Sequence, residues 1–398
     1  MAHNQFCAKP LLAQDRLAGA TAVATGVIQE TLRFGGEGLL QGGAPDGDSV
    51  RVKAVRLRTI PVTASLALGS RWSVEVAALY ADGDVTAADA VDGGEQRFRL
   101  QGVSDVRVRA AGRFLDDALI VTLGANAPTG ATALDGPELA ALRVLAAPAL
   151  GLGGAAVGAG AGGTVGLVAS RAVGAWALAL GGSYEVRGAY QPIAAFAAGA
   201  PGTEFRPASV VRALGSAEGR LGAHRVALAL SGEFFGEDRL RGPADGAADP
   251  IATVTLGPVL GADVQAQLAL WNWREALLWT SVRYRANHAR DGFTVEGSDG
   301  TYVEGGARLA IPARPRTDLV LALDGRVHTG LAIDAGLATS GVSSGTATLG
   351  LAHRLGALSL QPFVRGTVGR VQARGAARDR VRAGLSGLAG GLVLLARF

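Results

Sequence analysis

The chain has one cysteine, Cys7, and its only lysines are Lys9 and Lys53. A single thiol excludes an internal disulfide framework. The five histidines, at positions 3, 224, 288, 328 and 353, show no metal-ligand spacing. Glycine-rich stretches such as "GLGGAAVGAGAGG" carry no Walker lysine, and no Gly-x-Ser-x-Gly elbow sits in a strand-to-helix frame. No catalytic residue, metal site or cofactor is therefore expected, and the chain does not read as an enzyme. Although 48% of the residues are hydrophobic, no run of about 20 apolar residues is free of charge, which excludes helical membrane spans. The 38 basic and 34 acidic residues are interspersed rather than clustered, so nucleic acid is not an expected partner.

What the chain has in abundance is glycine, 59 residues, and alternation of period two. In "WALALGGSYEVRGAY", Trp176, Leu178, Leu180, Tyr184 and Val186 share one face, and Ser183, Glu185 and Arg187 share the other. Similar segments recur near 22–34, 50–68, 72–88, 96–114, 118–129, 162–173, 175–190, 207–220, 224–238, 252–268, 274–290, 301–312, 317–330, 342–355, 358–371 and 383–398. They are longer than ordinary soluble strands and match the roughly 9 to 11 residues that a tilted strand needs to cross a bilayer. The gaps alternate in length. After even-numbered segments they are tiny ("GSR", "LDD", "VGA", "LGA"), and after odd-numbered ones they are long, as in "GGEGLLQGGAPDGDS". Short turns on one rim and long loops on the other are a property of outer-membrane barrels.

The sequence thus predicts an all-β fold: a transmembrane antiparallel up-and-down β-barrel of 16 strands, with 14 as the second choice, in a bacterial outer membrane. An even count places both ends on the short-turn rim and lets "SGLAGGLVLLARF" close on the first strand, sparing the unpaired backbone groups of an open edge in lipid. The segment 50–68 changes face near Ala54 and again near Pro61, so bulges are expected at both places. Residues 1–18 are expected to lie outside the barrel, as a disordered start or the remnant of a targeting segment, and 19–398 to form it. The aromatics, among them Trp72, Trp176, Trp279, Tyr80, Tyr284 and Tyr302, fall mostly near strand ends, where interfacial girdles form.

An arginine on the lipid face costs roughly 2 to 4 kcal/mol at the midplane, so charged positions are assigned inward. The phase of each strand then gives Arg97, Arg99, Arg107, Arg109, Arg113, Glu185, Arg187, Arg212, Glu233, Arg283, Arg285, Arg308, Asp324 and Arg326 as pore-lining binding candidates. The five in the fourth segment form a basic ladder suited to an anionic solute, whereas most others are expected to pair and stiffen the wall. Loop 131–161 is the outlier. Pro137-Glu138 followed by Leu139, Leu142 and Leu145 predicts a short amphipathic helix with proline in its first turn. An apolar loop facing water is unfavourable, so it is expected to fold into or over the barrel mouth.

The stretch Gly102-Val103-Ser104-Asp105-Val106-Arg107, and "GRFLDDALIVTLGANAPTG" ending at Gly130, resembles the outer-membrane proteins associated with meta-pathway phenol degradation, relatives of the long-chain fatty-acid transporter barrels. The likeness covers roughly 70 residues, from "GSRWSVEVAALYADGDV" to "NAPTG". It implies passive passage of hydrophobic or aromatic small molecules. The long N-terminal segment that forms the plug of the fatty-acid transporters has no counterpart in the sequence. Two classes of function follow: a semi-selective channel for small, hydrophobic, aromatic or anionic solutes, or a plugged structural, assembly or adhesion barrel whose loops bind partners outside the cell. Expected partners are the lipid bilayer, lipopolysaccharide, a small-molecule solute and, through the strand ending in Phe398, the outer-membrane assembly machinery.

Overall fold

The computed structural model describes residues 21–36, 38–41, 50–89, 93–147, 150–154, 157–193, 203–241, 252–270, 274–329, 341–374 and 380–398. The expectation for residues 1–18 lies outside them. The barrel strands are β1 (Ala22–Phe34), β2 (Val50–Leu68), β3 (Trp72–Asp89), β4 (Glu95–Val103 and Val106–Phe114), β5 (Leu119–Ala127), β6 (Gly162–Val173), β7 (Trp176–Arg187) and β8 (Val210–Leu221). They continue as β9 (His224–Phe235), β10 (Val259–Leu270), β11 (Arg274–Arg285), β12 (Gly300–Arg314), β13 (Thr317–Thr329), β14 (Gly341–Leu355), β15 (Leu358–Arg374) and β16 (Arg380–Arg397). The one helix among the described residues, α1 (Gly136–Leu145), lies between β5 and β6.

Each strand pairs antiparallel with its neighbours in the chain, and β1 pairs with both β2 and β16, so the 16 strands close on themselves. The Phe398 amide donates to the Thr21 carbonyl at 2.9 Å, which carries the closure to the end of the short-turn rim. The terminal strand is thus held along its whole length by β15 and β1. Beyond the opposite rim, the long connections form a second sheet from Tyr190–Ile193, Thr203–Arg206, Glu237–Arg241, Ala252–Thr255, Ala289–Arg290 and Phe293–Thr294. The expected strand 252–268 is therefore two: the chain breaks at 256–258, and its first part joins this outer sheet. There Tyr190 stacks edge-on against Phe205 at 5.5 Å, and burial pushes its phenol up to about 12, so the ring stays neutral.

Alternation assigns the two faces. Leu180, Leu323 and Leu388 are 72%, 65% and 64% exposed on the outward phase, whereas Glu30 on the inward phase is 5% exposed. Trp72 and Trp176 point outward at the start of their strands and lie over Gly112 and Gly219 of the neighbouring strands. Tyr80 and Tyr184 sit eight residues further up on the same phase, about 26 Å along a tilted strand. At a tilt of about 40° that is roughly 20 Å along the membrane normal, and aromatic rings at both ends of an apolar band of this order mark a barrel that spans an outer membrane. Trp279 and Tyr302 depart from the expected girdle: both point inward, Trp279 against Gly306 and Tyr302 against His328.

The bulge expected near Ala54 is present as a register shift between Val52 and Ala54, but near Pro61 the register with β3 runs unbroken. The change of face there is a change of surroundings. Below Pro61, Val62 and Leu66 face lipid; above it, Val55 and Leu57 point inward and are fully buried under α1, while Arg56 and Arg58 point outward and are exposed.

Candidate functional site

The segment joining β5 to β6 turns into the barrel. Asp135 caps α1: its carboxylate accepts from the Glu138 amide at 2.8 Å, and the Glu138 carboxylate accepts from the Asp135 amide at 3.1 Å, a capping box with Pro137 in the first turn. Ala140, Ala141, Leu142, Val144 and Leu145 form the buried stripe. The last four pack with Leu57, Val85 and Leu100 of β2 to β4, in a cluster that extends to Phe34, Val342, Val371 and Leu385. After the helix the chain reaches β13, where the Arg326 guanidinium donates to the Leu150 carbonyl at 2.6 Å and to Ser344 Oγ at 2.9 Å. Gly151, at φ +61°, a conformation that favours glycine, passes so close that a Cβ would sit 1.3 Å from Arg326 Nη1 and would displace the guanidinium. The Gly153 amide then donates to Glu30 Oε2 at 3.0 Å, and Glu30 forms an ion pair with Arg365.

This arrangement decides where the loop lies. In a closed ring of 16, β13 is eight strands from β5, halfway round. A segment that starts at β5 and is held by an inward side chain of β13 crosses the lumen. Among the described residues its contacts fall on β13 to β16 and β1 to β4.

Both feet of the crossing segment are tied to one carboxylate. Asp105 accepts from the Asn126 amide group at 2.8 Å, the Gly130 amide at 2.9 Å and the Ala159 amide at 2.6 Å. Gly130 and Gly158 approach so closely that a Cβ on either would lie within 3 Å of the other's backbone. Asp105→Ala would leave these donors without their acceptor, at about 1 to 3 kcal/mol for each one that water does not reach. The expected result is a lower urea midpoint and new proteolytic cleavage within 131–161 of the folded barrel, with Asp105→Asn intermediate. Intact wild-type-like protection would show that the clamp does not hold the loop.

The same residue marks a break in the expected ladder. Tyr80 pairs with Val103, but Ala77 pairs with Arg107, so β4 contains one residue more than β3 across Ser104-Asp105. That bulge reverses the phase. Arg97 and Arg99 therefore point outward and pair with Asp84 at 3.1 Å and Asp82 at 3.0 Å, which corrects their assignment to the lumen. Phe98 and Leu100 take the inward positions under α1. Arg107, Arg109 and Arg113 lie below the bulge and face inward, opposite Asn126, Gly124 and Ile120 of β5. Among the described residues none of the three guanidinium groups has a carboxylate within 4 Å.

The other inward candidates are mostly tied into the wall. Arg212 bridges Glu185 at 2.6 Å and Glu233 at 3.7 Å, and Arg187 donates to the Ala208 carbonyl at 2.9 Å. Arg283 pairs with Asp263 at 2.7 Å, and Arg285 donates to the Ser298 carbonyl at 3.3 Å. Arg308 and Asp324 share the inward phase of β12 and β13. Arg326 serves the loop rather than open space. Sequence reasoning missed Glu30, whose signal was a single acid on the inward phase of "VATGVIQETLRF".

No known protein family matches this chain, and no curated protein matches it either. Solved structures match over nearly the whole length. OprB of Pseudomonas putida is 11% identical, with 96% of each chain covered and a TM-score of 0.44. OccK2 of Pseudomonas aeruginosa, solved with glucuronate, is 12% identical over 96% of this chain and 99% of its own, with a TM-score of 0.43. A FadL homologue of Pseudomonas aeruginosa is 8% identical over 95% of this chain and 90% of its own, with a TM-score of 0.42. Such distant likenesses assign no solute to this barrel. Its own inner face carries the crossing loop above and three arginines beside small residues below.

Proposed function

We propose that this barrel is a passive outer-membrane channel for small solutes, narrowed by the crossing loop, with Arg107, Arg109 and Arg113 favouring anions. The observation that carries the reading is the contrast between these three and the rest of the wall. Glu185, Arg212, Glu233, Asp263 and Arg283 cancel one another locally, whereas the three β4 arginines are exposed and share one facing carboxylate, Glu75 opposite Arg109, with no ion pair closer than 4 Å among the described residues, which leaves an excess of positive charge. A guanidinium fork binds a carboxylate in two parallel hydrogen bonds, so small organic acids and phenolates are the solutes this wall suits. The narrow path above limits their size.

The test is the reversal potential of the reconstituted full chain in a salt gradient. The triple substitution Arg107→Gln, Arg109→Gln, Arg113→Gln is expected to lower the anion-to-cation permeability ratio several-fold and leave the unitary conductance within a factor of two. A benzoate salt in place of chloride should show the larger change. An unaltered ratio would overturn the anion reading, and a wild-type barrel that conducts nothing would overturn the channel itself.

A further inference from the structure

We propose that the outward face of β15, β16, β1 and β2, just above the apolar band, is a binding surface for the phosphates of an outer-leaflet lipid. On β2, Ile60 lies opposite Tyr80 at the upper girdle, and the next two outward positions are Arg58 and Arg56. Thr31 on β1 lies opposite Arg56, and Arg33 follows it outward. On β15 and β16 the outward positions include Arg370, opposite Gly384, and Arg382, opposite Gln372. Arg33 with Arg56, and Arg370 with Arg382, are diagonal neighbours across paired strands, a spacing of about 7 to 8 Å. All five side chains are exposed.

This face is neutralised only in part. Asp84 and Asp82 on β3 lie directly opposite Arg56 and Arg58 but are also bound by Arg97 and Arg99, so two carboxylates are shared among four guanidinium groups, and Arg33, Arg370 and Arg382 form no ion pair among the described residues. The positions matter as much as the charge. Arg58 and Arg56 lie one and two pleats above the girdle residue Tyr80, at the depth of lipid headgroups, where phosphate is the available anion and a paired guanidinium binds it through charge-assisted hydrogen bonds. A shallow, open groove of about 590 Å³ adjoins it on the outer wall, lined by Val303, Val327, Ser343, Val368 and Arg370, and offers an acyl chain an apolar surface beside Arg370. A lipid with two phosphates suits the paired arginines better than a zwitterionic one, whose own cation would meet the same field.

The test is native mass spectrometry of the full-length barrel in detergent, incubated in turn with bisphosphoryl lipid A, monophosphoryl lipid A and phosphatidylethanolamine. The expected result is retention of bisphosphoryl lipid A, at least tenfold weaker retention of the other two, and no displacement by millimolar inorganic phosphate. Arg33→Gln/Arg56→Gln/Arg58→Gln and Arg370→Gln/Arg382→Gln should each lower lipid A retention tenfold or more, while the matching lysine variants keep most of it. Folding of every variant is read from heat-modifiable mobility. Equal retention by wild type and folded glutamine variants would overturn the proposal, as would a wild type that holds phosphatidylethanolamine equally well. Displacement by free phosphate would overturn the lipid as occupant. If a glutamine variant does not fold, the wild-type ranking of the three lipids decides the matter alone.

Discussion

Replacing residues 135–150 with a short Gly/Ser linker is expected to raise the unitary conductance of the reconstituted barrel several-fold. The segment removed includes α1 and Leu150, whose carbonyl is held by Arg326 on the far wall. Without it nothing among the described residues spans the lumen between β5 and β13 along the line of the helix. The substitution also uncovers Leu57, Val85 and Leu100 to water in the lumen, so some loss of stability accompanies the gain in conductance. The barrel itself should still form, because its closure rests on the ladder from β1 round to β16 and not on the loop. Conductance equal to wild type, in a variant that shows heat-modifiable folding, would place the narrowest point elsewhere.

The second large effect concerns one buried carboxylate. Glu30 is 5% exposed, pairs with Arg365 and accepts the Gly153 amide at 3.0 Å. Glu30→Ala would leave Arg365 as an uncompensated charge in a half-buried setting and release the returning limb of the loop. Breaking a buried pair by removing one partner costs about 3 to 5 kcal/mol, and Arg365 keeps some contact with lumen water, so about 3 kcal/mol is the expected loss. It should appear as a lower urea midpoint together with noisier, larger conductance steps. The double variant Glu30→Ala/Arg365→Ala should recover part of the stability, because no charge is then left unpaired, but should not quiet the conductance, because Gly153 still lacks its acceptor. A single variant as stable as wild type would show that water already screens the pair.

The barrel was legible in the sequence because membrane crossing imposes period two on every strand and short turns on every second gap. Both signals survive the substitution of any one residue. What the sequence hid is local and physical. In the upper part of the wall, β2, β3 and β4 exchange their polarity: the lumen side is apolar under α1, and the outer side, above the lipid, is charged. In β2 this exchange looks like a second bulge at Pro61, although the register is unbroken. In β4 the exchange coincides with a true bulge at Ser104-Asp105, and the two reversals cancel. Arg97, Arg99, Arg107 and Arg109 therefore read as one continuous ladder, although the first two point away from the lumen. The inward helix could be foreseen from Pro137-Glu138 and the leucines that follow, but its destination could not, since Arg326 lies more than 170 residues away from Leu150 in the chain.

A hoop of strands has no intrinsic resistance to being flattened, since each strand can pivot on its neighbours while keeping its hydrogen bonds. The segment from Asp105 to Arg326 is a brace set across such a hoop, anchored at one end by two backbone hydrogen bonds to a single carboxylate and at the other by a guanidinium on the facing wall. Lateral pressure from the bilayer then acts on a stiffened ring whose cross-section is fixed by the length of the brace. On the channel reading, the residues that narrow the passage would also keep its shape constant as the surrounding membrane changes.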